Sequence, residues 1–437
     1  MRLTTALVIL SAVAFSGSQT TRAPHYAAIY TLTPREGVFA YARISPDGKR
    51  LVYASHVNAR DPNGPPGYTE SVVDLATKSV AFSVSGIDAY WSIDGQRMIY
   101  SADDGVTIRH SDTGTLAHNV APGGLGDYYS WAQRDGRDLI LTIESHYYYL
   151  DGDKAVLPYG TVAACDGIGT GERPLISKDG KRITTFVKGN VVVRGLDNCD
   201  KIFDTGIQGA KADFSWDGRY IAFHALKKDG TGYEILIVDI DQRTVRTLPG
   251  LGGSALFPSW TQDGRLCFRY DGPDFRGFML ASGVLDVPAE PLPAVPASLP
   301  AARTWRDIFP DAPEPGSGLH LVMIWAPWSA HSQIAFADLE RARAYFAARA
   351  PDLSIAAAAD PGVPESDIAR QLLEFHVTLP RIPLSPAGLA LTEARNQMPT
   401  TLLFRNSVLV DRRLGAQSFD RLRDWVDAAL DAERRRK

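Results

Sequence analysis

The sequence has few cysteines, no marked excess of either charge and, beyond its first residues, no long apolar run. Its 46 basic and 50 acidic side chains among 437 residues give a formal net charge of −4, which lacks the basic excess of a nucleic-acid-binding protein. After the N-terminal segment, no stretch stays apolar for the ~18 residues that a membrane-spanning helix needs. We therefore predict no nucleic-acid partner and no transmembrane segment in the mature chain, whose 45% hydrophobic residues suffice for two soluble domains.

The first 18 residues have the three parts of a signal peptide. Arg2 supplies a positive charge, residues 6–15 form an apolar stretch too short to span a bilayer, and residues 16–18 (Ser-Gly-Ser) provide a small-residue cleavage site. No cysteine lies near this site to carry a lipid anchor. We predict that residues 1–18 are removed on export and that the protein is periplasmic or secreted.

Most of the remaining chain repeats one phrase, an apolar or aromatic residue followed by Asp-Gly and an alternating apolar strand. This phrase occurs six times, 38 to 47 positions apart, at Asp47-Gly48, Asp94-Gly95, Asp135-Gly136, Asp179-Gly180, Asp217-Gly218 and Asp263-Gly264. Such spacing indicates a propeller, a solenoid or an array. Asp-Gly between two apolar runs predicts a hairpin, because glycine readily takes the positive φ of a tight turn. With four short strands per repeat, the sequence predicts an all-β six-bladed propeller.

These repeats resemble the blades of TolB-like propellers over residues 28–285, so we assign a propeller domain to residues 19–286. The resemblance implies a platform that docks other proteins. An alternative is an enzyme with a hydrolase or lactonase-type site in the propeller channel, which would need acidic residues converging on calcium. Polar and aromatic residues that could form a binding surface lie near the blade ends. They are His56, Asp103, Asp104, Tyr147, Tyr148, Tyr149, His224 and Tyr233.

A second region follows, in which strand and helix patterns alternate. Apolar runs predict strands at residues 319–326, 354–359, 401–404 and 408–414, and helical spacing predicts helices at residues 332–350, 367–377 and 419–430. Between the first strand and the first helix, residues 325–332 read Trp-Ala-Pro-Trp-Ser-Ala-His-Ser. This segment and the element order resemble the thioredoxin-like fold, in its TlpA-like branch, over residues 316–432. We therefore predict an α/β thioredoxin-like domain at residues 316–437, and the resemblance implies a cis-proline at Pro399.

In this resemblance, Ser329 and Ser332 stand where active relatives have two cysteines. A serine hydroxyl stays protonated and forms no disulfide, so we predict no thiol–disulfide oxidoreductase activity. We also predict no catalytic residue, no cofactor and no bound metal. Ser329 and His331 lie two positions apart at a helix start, where side chains do not face each other, which argues against a Ser-His catalytic pair. We expect one of the two serines to cap the helix and His331 to be solvated.

The groove beside Pro399 is the candidate binding site. In active relatives this groove pairs with extended polypeptide, so the resemblance implies backbone hydrogen bonding to a protein or peptide partner without covalent capture. The expected groove residues are Trp328, Ser329, Ala330, His331, Ser332, Met398, Pro399 and Thr400. Trp328 and Met398 are expected to be exposed unless the propeller or the segment around Trp305 covers them. A further alternative is that this domain only stabilises or dimerises the propeller.

A proline-rich linker at residues 287–315 joins the two predicted domains. High proline density suits an extended spacer better than a helix or a central strand, so we expect the two domains to fold separately. Trp305, Ile308 and Phe309 interrupt the linker, and we expect them to dock on one of the two domains.

The chain has only three cysteines, all in the propeller region. Cys165 and Cys199 fall within one repeat, so an oxidising compartment permits a disulfide between them. Their expected positions on opposite faces of a blade argue against it, and the sequence leaves the question open. Cys267 alternates with Leu266 and Phe268 and is expected to be a small buried apolar residue.

Overall fold

The computed structural model describes residues 23–32, 42–57, 67–102, 105–122, 129–142, 146–151, 154–161, 175–187, 189–294, 304–392 and 398–435. The predicted signal peptide and Cys165 lie outside the described residues. None of the described helices is long and apolar enough to cross a membrane.

Antiparallel strands make up most of the chain before residue 292. Their bounds are β1 (His25–Thr31), β2 (Ala42–Ile44), β3 (Arg50–Val57), β4 (Gly67–Asp74), β5 (Ser79–Ser85), β6 (Ile87–Trp91), β7 (Arg97–Ala102), β8 (Gly105–His110), β9 (Leu116–Pro122), β10 (Tyr129–Arg134), β11 (Arg137–Thr142), β12 (His146–Asp151), β13 (Lys154–Thr161), β14 (Arg182–Val187), β15 (Asn190–Gly195), β16 (Lys201–Gln208), β17 (Ala210–Phe214), β18 (Tyr220–Leu226), β19 (Tyr233–Asp239), β20 (Thr244–Thr247), β21 (Ser254–Trp260), β22 (Leu266–Asp271), β23 (Arg276–Ser282) and β24 (Glu290–Pro291).

These strands form six antiparallel sheets, in which neighbouring strands follow each other along the chain except where β1 joins β23 and β24 joins β20. The first four sheets are β2–β5, β6–β9, β10–β13 and β14–β16, the fifth is β17–β20 with β24, and the sixth is β21–β23 with β1. In the fourth sheet the first strand is reduced to a single bridge between Ile176 and Ile183. Six sheets of consecutive antiparallel strands fit an all-β propeller.

The Asp-Gly phrases form the predicted turns at the start of each sheet. Their six glycines have φ between 69° and 81°, in the left-handed region that favours glycine. In the first turn, the Ser45 hydroxyl donates to Asp47 Oδ1 over 2.7 Å and accepts from the Arg50 backbone N–H. The same bonding recurs at Ser92, Ser177, Ser215 and Thr261. The hairpin prediction is confirmed.

The first strand of the propeller region lies in the same sheet as β21–β23, which come near the end of that region. Strand β1 pairs antiparallel with β23, from His25 opposite Ser282 to Thr31 opposite Gly277. At the inner edge of the sheets, β2 contacts both β6 and β21, and β17 contacts β21. The first strands of the sheets therefore meet at a common centre, and the N-terminal segment completes the sixth sheet.

The C-terminal unit, residues 304–435, has its own four-stranded sheet. Its elements are α1 (Trp305–Ile308), β25 (Leu319–Trp325), α2 (Ala330–Ala347), β26 (Ser354–Ala359), α3 (Glu365–Glu374), α4 (Pro386–Leu391), β27 (Thr400–Arg405), β28 (Val408–Leu414) and α5 (Phe419–Arg434). The sheet order is β26-β25-β27-β28, with β25 and β26 parallel and the other pairs antiparallel. The predicted order of strands and helices is confirmed, and the Met398–Pro399 bond is cis. The sequence did not predict α4, whose six residues are too few for a visible helical period.

The described end of the proline-rich segment packs against the C-terminal sheet. Helix α1 begins with a capping box between Thr304 and Asp307. The Trp305 ring lies 5.1 Å from that of Phe404, and the Trp305 backbone N–H donates to Ser407 O over 2.7 Å. Trp305, Ile308 and Phe309 are at most 4% exposed, so the prediction that they dock on one of the two parts is confirmed.

The propeller sheets and the C-terminal unit share one buried apolar cluster. The propeller contributes Tyr68, Leu226, Tyr233, Leu256 and Phe257, and the C-terminal unit contributes Trp328, Met398, Leu402 and Phe404 among others. A second cluster fills the space between β25 and helices α2 and α5. A continuous core therefore joins the two parts, while the predicted separate folding of the two domains stays a prediction.

Candidate functional site

The structure brings the predicted groove residues together. The Ser329 hydroxyl donates to Met398 O over 2.7 Å, which joins the start of α2 to the segment before β27. Trp328, Ser329, Ser332, Met398, Pro399 and Thr400 are all buried. Trp328 is only 4% exposed and Met398 7%. Of the two possibilities left open by the sequence, the structure shows the covered one, because both side chains lie in a buried cluster with residues of the propeller and of the segment around Trp305.

The two serines hold the local backbone. Ser329 is the N-cap of α2, and its Oγ accepts from the Ser332 backbone N–H over 3.3 Å. The Ser332 hydroxyl in turn accepts from the Ala326 backbone N–H over 3.3 Å. The prediction of a serine helix cap is confirmed. Each hydroxyl therefore forms hydrogen bonds to the backbone, at a position where active relatives in the resemblance have a reactive thiol.

His331 faces the propeller instead of solvent. Its Nε2 lies 3.8 Å from Asp88 Oδ2 at the start of β6, and its side chain is 14% exposed. Asp88 has φ of 64°, an uncommon backbone conformation for a non-glycine residue. The expectation of a solvated His331 is wrong, because the propeller lies against the first turn of α2.

Aromatic rings of the propeller surround Trp328. The centroid of its ring lies 5.8 Å from that of His224, 6.1 Å from that of Tyr233 and 6.0 Å from that of Phe257, all in edge-to-face arrangements. Such geometry pairs the positive ring edge with the negative face. We call His224, Tyr233 and Phe257 the aromatic box. It belongs to the fifth and sixth sheets, so Trp328 anchors the C-terminal unit to both.

A buried carboxylate bridges the two parts beside this box. Asp360 Oδ2 accepts from the Trp328 indole N–H over 3.1 Å and from the Tyr233 hydroxyl. Its Oδ1 accepts from the Gly362 backbone N–H over 2.8 Å. A buried carboxylate is unfavourable unless it is hydrogen-bonded. Asp360 therefore holds the Trp328 indole N–H and the Tyr233 hydroxyl pointed towards it.

The histidine of the box is neutral at physiological pH. Burial, with a smaller contribution from the positive charge of Lys211, lowers the pKa of His224 to about 3. Its Nδ1 accepts from the Phe257 backbone N–H over 3.3 Å. The imidazole therefore serves as an uncharged ring in an apolar contact.

Two polar links flank the aromatic box. The Tyr68 hydroxyl donates to Gln333 Oε1 over 2.7 Å, and burial, with the charges of Asp88 and Glu374, raises the pKa of Tyr68. On the other side, Arg276 of β23 donates to both carboxylate oxygens of Asp367 on α3, at 2.5 and 3.3 Å. A bidentate arginine–carboxylate pair fixes orientation as well as distance.

Strand direction places these contacts and the Asp-Gly turns at opposite ends of the propeller sheets. Successive antiparallel strands reverse direction, so the turn between the first two strands lies opposite the loop between the second and third. Tyr68 begins the third strand of its sheet, Tyr233 does the same in the fifth sheet, and Leu226 ends a second strand. The C-terminal unit therefore covers the end of the propeller away from the Asp-Gly turns.

A charged cluster lies at the centre of the propeller, near the Asp-Gly turns. Lys178 Nζ donates to Tyr90 Oη over 2.7 Å and to Asp213 Oδ1 over 3.2 Å. Arg43 Nη1 lies 3.6 Å from Asp213 Oδ2, which also accepts from the Trp260 backbone N–H over 2.9 Å. Burial alone would lower the pKa of Lys178, but Asp213 and Tyr90 outweigh it and raise that pKa. The ammonium group is therefore charged at neutral pH.

Sequence reasoning missed this cluster, although the repeat carried a signal for it. In four repeats the turn reads Ser-x-Asp-Gly, and the residue at position x lines the central cavity. These residues are Pro46, Ile93, Lys178 and Trp216. Lys178 is the charged member of this set. Comparing this one position across the repeats would have identified it.

The other sequence candidates lie elsewhere in the strands or outside the described residues, and the backbone of His56 is paired with that of Tyr68. His56 lies in β3, and Tyr147 and Tyr148 in β12. Tyr149 is buried with the Arg137 guanidinium 4.7 Å above its ring, whereas Asp103 and Asp104 lie outside the described residues. Within the described ranges, no group of three or more His, Cys, Asp or Glu residues could hold a metal ion.

The cysteine predictions have two outcomes. Cys199 is disulfide-bonded, while its candidate partner Cys165 lies outside the described residues. Cys267 is a free, buried thiol in the core of the sixth sheet, and burial raises its pKa. The prediction of a buried apolar role for Cys267 is confirmed.

No protein-family model matches the sequence, and no curated protein matches it. Among solved structures, the chain is similar to Kuenenia stuttgartiensis hydrazine synthase, with 14% sequence identity and a TM-score of 0.35 over 54% of this chain and 75% of that chain. It is also similar to the C-terminal WD40 domain of Sif2, with 11% identity and a TM-score of 0.33 over 56% of this chain and 81% of that chain. Both TM-scores are low, so the description of the fold rests on the chain's own sheets.

Proposed function

We propose that this protein is a non-catalytic binding protein with two functionally distinct ends. A TolB-like six-bladed propeller carries the partner-binding surface, and a redox-inactive thioredoxin-like domain closes the opposite end. The proposal includes export to the periplasm or beyond, as the N-terminal sequence predicts. Its main support is the burial of Trp328 in the aromatic box of the propeller.

The contacts of the two serines support the absence of redox chemistry. A thioredoxin-like oxidoreductase needs a thiolate nucleophile and a second thiol that partners can reach. Ser329 and Ser332 have neither thiols nor access, since both are buried and bonded to the backbone. In this proposal the domain keeps the framework of an oxidoreductase and uses the active-site face for packing.

The burial of the groove residues argues against the hypothesis that this groove binds a peptide partner. Trp328 contacts the aromatic box of the propeller, and Met398 belongs to the same buried apolar cluster, so the propeller takes the place that a separate peptide would need. Of the functions considered from the sequence, a stabilising role of the C-terminal domain is therefore favoured over peptide capture in its groove. The protein or peptide partner would bind at the other end of the propeller, beside the Asp-Gly turns.

Thiol accessibility in the full-length protein tests this proposal. Ser329 is 7% exposed and Val408 on the edge strand β28 is 52% exposed, so S329C and V408C form a matched pair of probes. We expect an aromatic disulfide reagent to label the thiol of V408C at least tenfold faster than that of S329C under native conditions, and both equally in denaturant. Equal native rates would mean that the groove opens to solvent, and would contradict the proposed closed end.

A further inference from the structure

We propose that the centre of the propeller, at the end beside the Asp-Gly turns, binds a carboxylate group, with Lys178 as its main contact. This inference rests on the proposed function only in placing the binding surface at that end. The S329C test concerns the opposite end, so the two ideas can fail separately.

The site is a small cavity formed where the first strands of the sheets meet. Its volume is about 20 Å3, and its wall includes Arg43, Tyr90, Lys178, Trp216 and Trp260. A water-sized group needs roughly 10–15 Å3 by the same kind of measure. The cavity therefore admits the polar end of a ligand, while the body of that ligand would lie outside.

Two residues of this wall have donor capacity that the described residues do not use. Lys178 has three ammonium hydrogens and donates to two acceptors, Tyr90 Oη and Asp213 Oδ1. The indole N–H of Trp260 is buried and also lacks an acceptor within the described ranges. Buried donors in native proteins are nearly always satisfied. The unused hydrogen-bond donors of this cavity therefore favour a ligand that accepts hydrogen bonds.

The charge of the wall favours an anionic acceptor over a neutral one. The Lys178 and Arg43 side chains are only 9% and 4% exposed. The Lys178 ammonium lies 5.0 Å from the Tyr90 ring centroid and 5.7 Å from that of Trp216. Hydrogen bonds from a charged donor to a charged acceptor are roughly twice as strong as neutral ones. A carboxylate oxygen combines the required charge with the small size of the cavity.

Nearby carboxylates leave the ammonium group available. Asp213 is oriented by the Trp260 backbone N–H, so it occupies one side of Lys178 and not the cavity itself. The turn carboxylates next in sequence to cavity-lining residues, Asp47, Asp94, Asp179 and Asp217, each accept from the hydroxyl of their own turn. Asp213 is the described carboxylate that binds Lys178, so a ligand carboxylate would compete with it for this cation.

Tryptophan fluorescence of the full-length protein measures this binding, because Trp91, Trp216 and Trp260 line the cavity. At constant ionic strength, we expect a saturable change with sodium acetate and none with acetamide, its neutral analogue. Acetate should also raise the melting temperature, because it binds the folded chain. A response to acetamide equal to that of acetate, or no saturable response to acetate, would overturn the proposal and indicate that the cavity holds only water.

Substitutions identify the contact. K178M should weaken acetate binding about tenfold or more, since it removes a charged donor, while the exposed neighbour K181M serves as the matched control and should not change it. D213N should tighten acetate binding several-fold, because it removes the competing carboxylate. If K178M does not fold, the acetate affinity of D213N tests the assignment to Lys178 instead. Unchanged acetate affinity in K178M or in D213N would overturn the assignment to Lys178.

Competition separates two sources of the carboxylate. A short peptide with a free C-terminal carboxylate that displaces acetate, while its amidated form does not, would identify a protein C-terminus as the source. If acetate is displaced by larger free organic acids but by neither peptide, the ligand class is a free acid. Displacement of acetate by the amidated peptide as well would overturn recognition through a carboxylate.

Discussion

The ring edge of Trp328 meets the imidazole of His224 with centroids 5.8 Å apart and an interplanar angle of 79°. Trp328 belongs to the C-terminal unit, and His224 lies in β18 of the fifth propeller sheet. Both are buried, so neither part can present this surface to solvent without losing the contact. We therefore expect the stability of each part to depend on the other.

Truncating Trp328 should destabilise the whole chain. We expect W328A to lower the free energy of unfolding by about 3–5 kcal/mol, because it removes a large buried side chain from the aromatic box. L373A is the control, since Leu373 is 77% exposed and should change stability by at most about 0.5 kcal/mol. Urea unfolding of both variants measures the difference. A W328A variant as stable as the parent would contradict the sealed interface.

His224 should make the protein less stable in mild acid. Its pKa falls from 6.5 to about 3 on folding, mainly through burial. Between these values the unfolded chain binds a proton that the folded chain does not, so the stability that is complete above pH 6.5 is lost progressively as the pH falls. The slope from one such group is about 1.4 kcal/mol per pH unit.

The matched variant for this effect is H224Q, which keeps an acceptor near the Phe257 N–H and cannot titrate. Between pH 6.5 and 5, the parent should lose roughly 2 kcal/mol more stability than H224Q. Urea midpoints at the two pH values give this number, and other acidic groups cancel because both proteins contain them. Parallel losses in the two proteins would show that His224 can be protonated in the fold.

Separating the chain should expose the shared cluster. A fragment of residues 23–294 would leave Tyr233, Leu256 and Phe257 uncovered, and one of residues 304–435 would expose Trp328 and Met398. We expect each fragment to bind a hydrophobic dye and to melt below the full chain, because large exposed apolar patches are unfavourable in water. Two fragments that each melt as sharply and as high as the intact protein would restore the idea of independent domains.

The native protein should not reduce insulin. The S329C/S332C double variant restores the cysteine spacing of the active-site segment, yet we expect no insulin turnover, because the propeller covers both positions. A gel shift after alkylation in denaturant should still report the state of the introduced thiol pair. Insulin turnover by the double variant would show that substrates reach the groove.

The sequence predicted local elements better than contacts between distant residues. The Asp-Gly turns were predictable because a positive φ restricts the choice of residue, and the strands and helices after residue 316 because their apolar periods are clear. His224 and Tyr233 were also identified as surface candidates. The sequence could not show that their partner is Trp328, because side-chain complementarity over such a separation leaves no period in the chain.

The charged centre of the propeller illustrates the same limit. Arg43, Lys178 and Asp213 belong to three different repeats, and each alone resembles an ordinary solvated charge. Only the arrangement of the sheets brings the cations of Arg43 and Lys178 each within 4 Å of the Asp213 carboxylate. Whether a charged side chain is buried therefore depends on how the sheets assemble. It cannot be predicted from the hydrophobicity pattern along the chain.

The pairing of β1 with β23 determines when the propeller can be completed during synthesis. The sixth sheet joins His25 to Ser282, so its outer strand waits until nearly all of the propeller sequence has left the ribosome. Until then β1 has no partner strand, and an unpaired strand edge is a template for aberrant association. A chain interrupted before residue 276 would lack β23 altogether, and the N-terminal strand would have no partner.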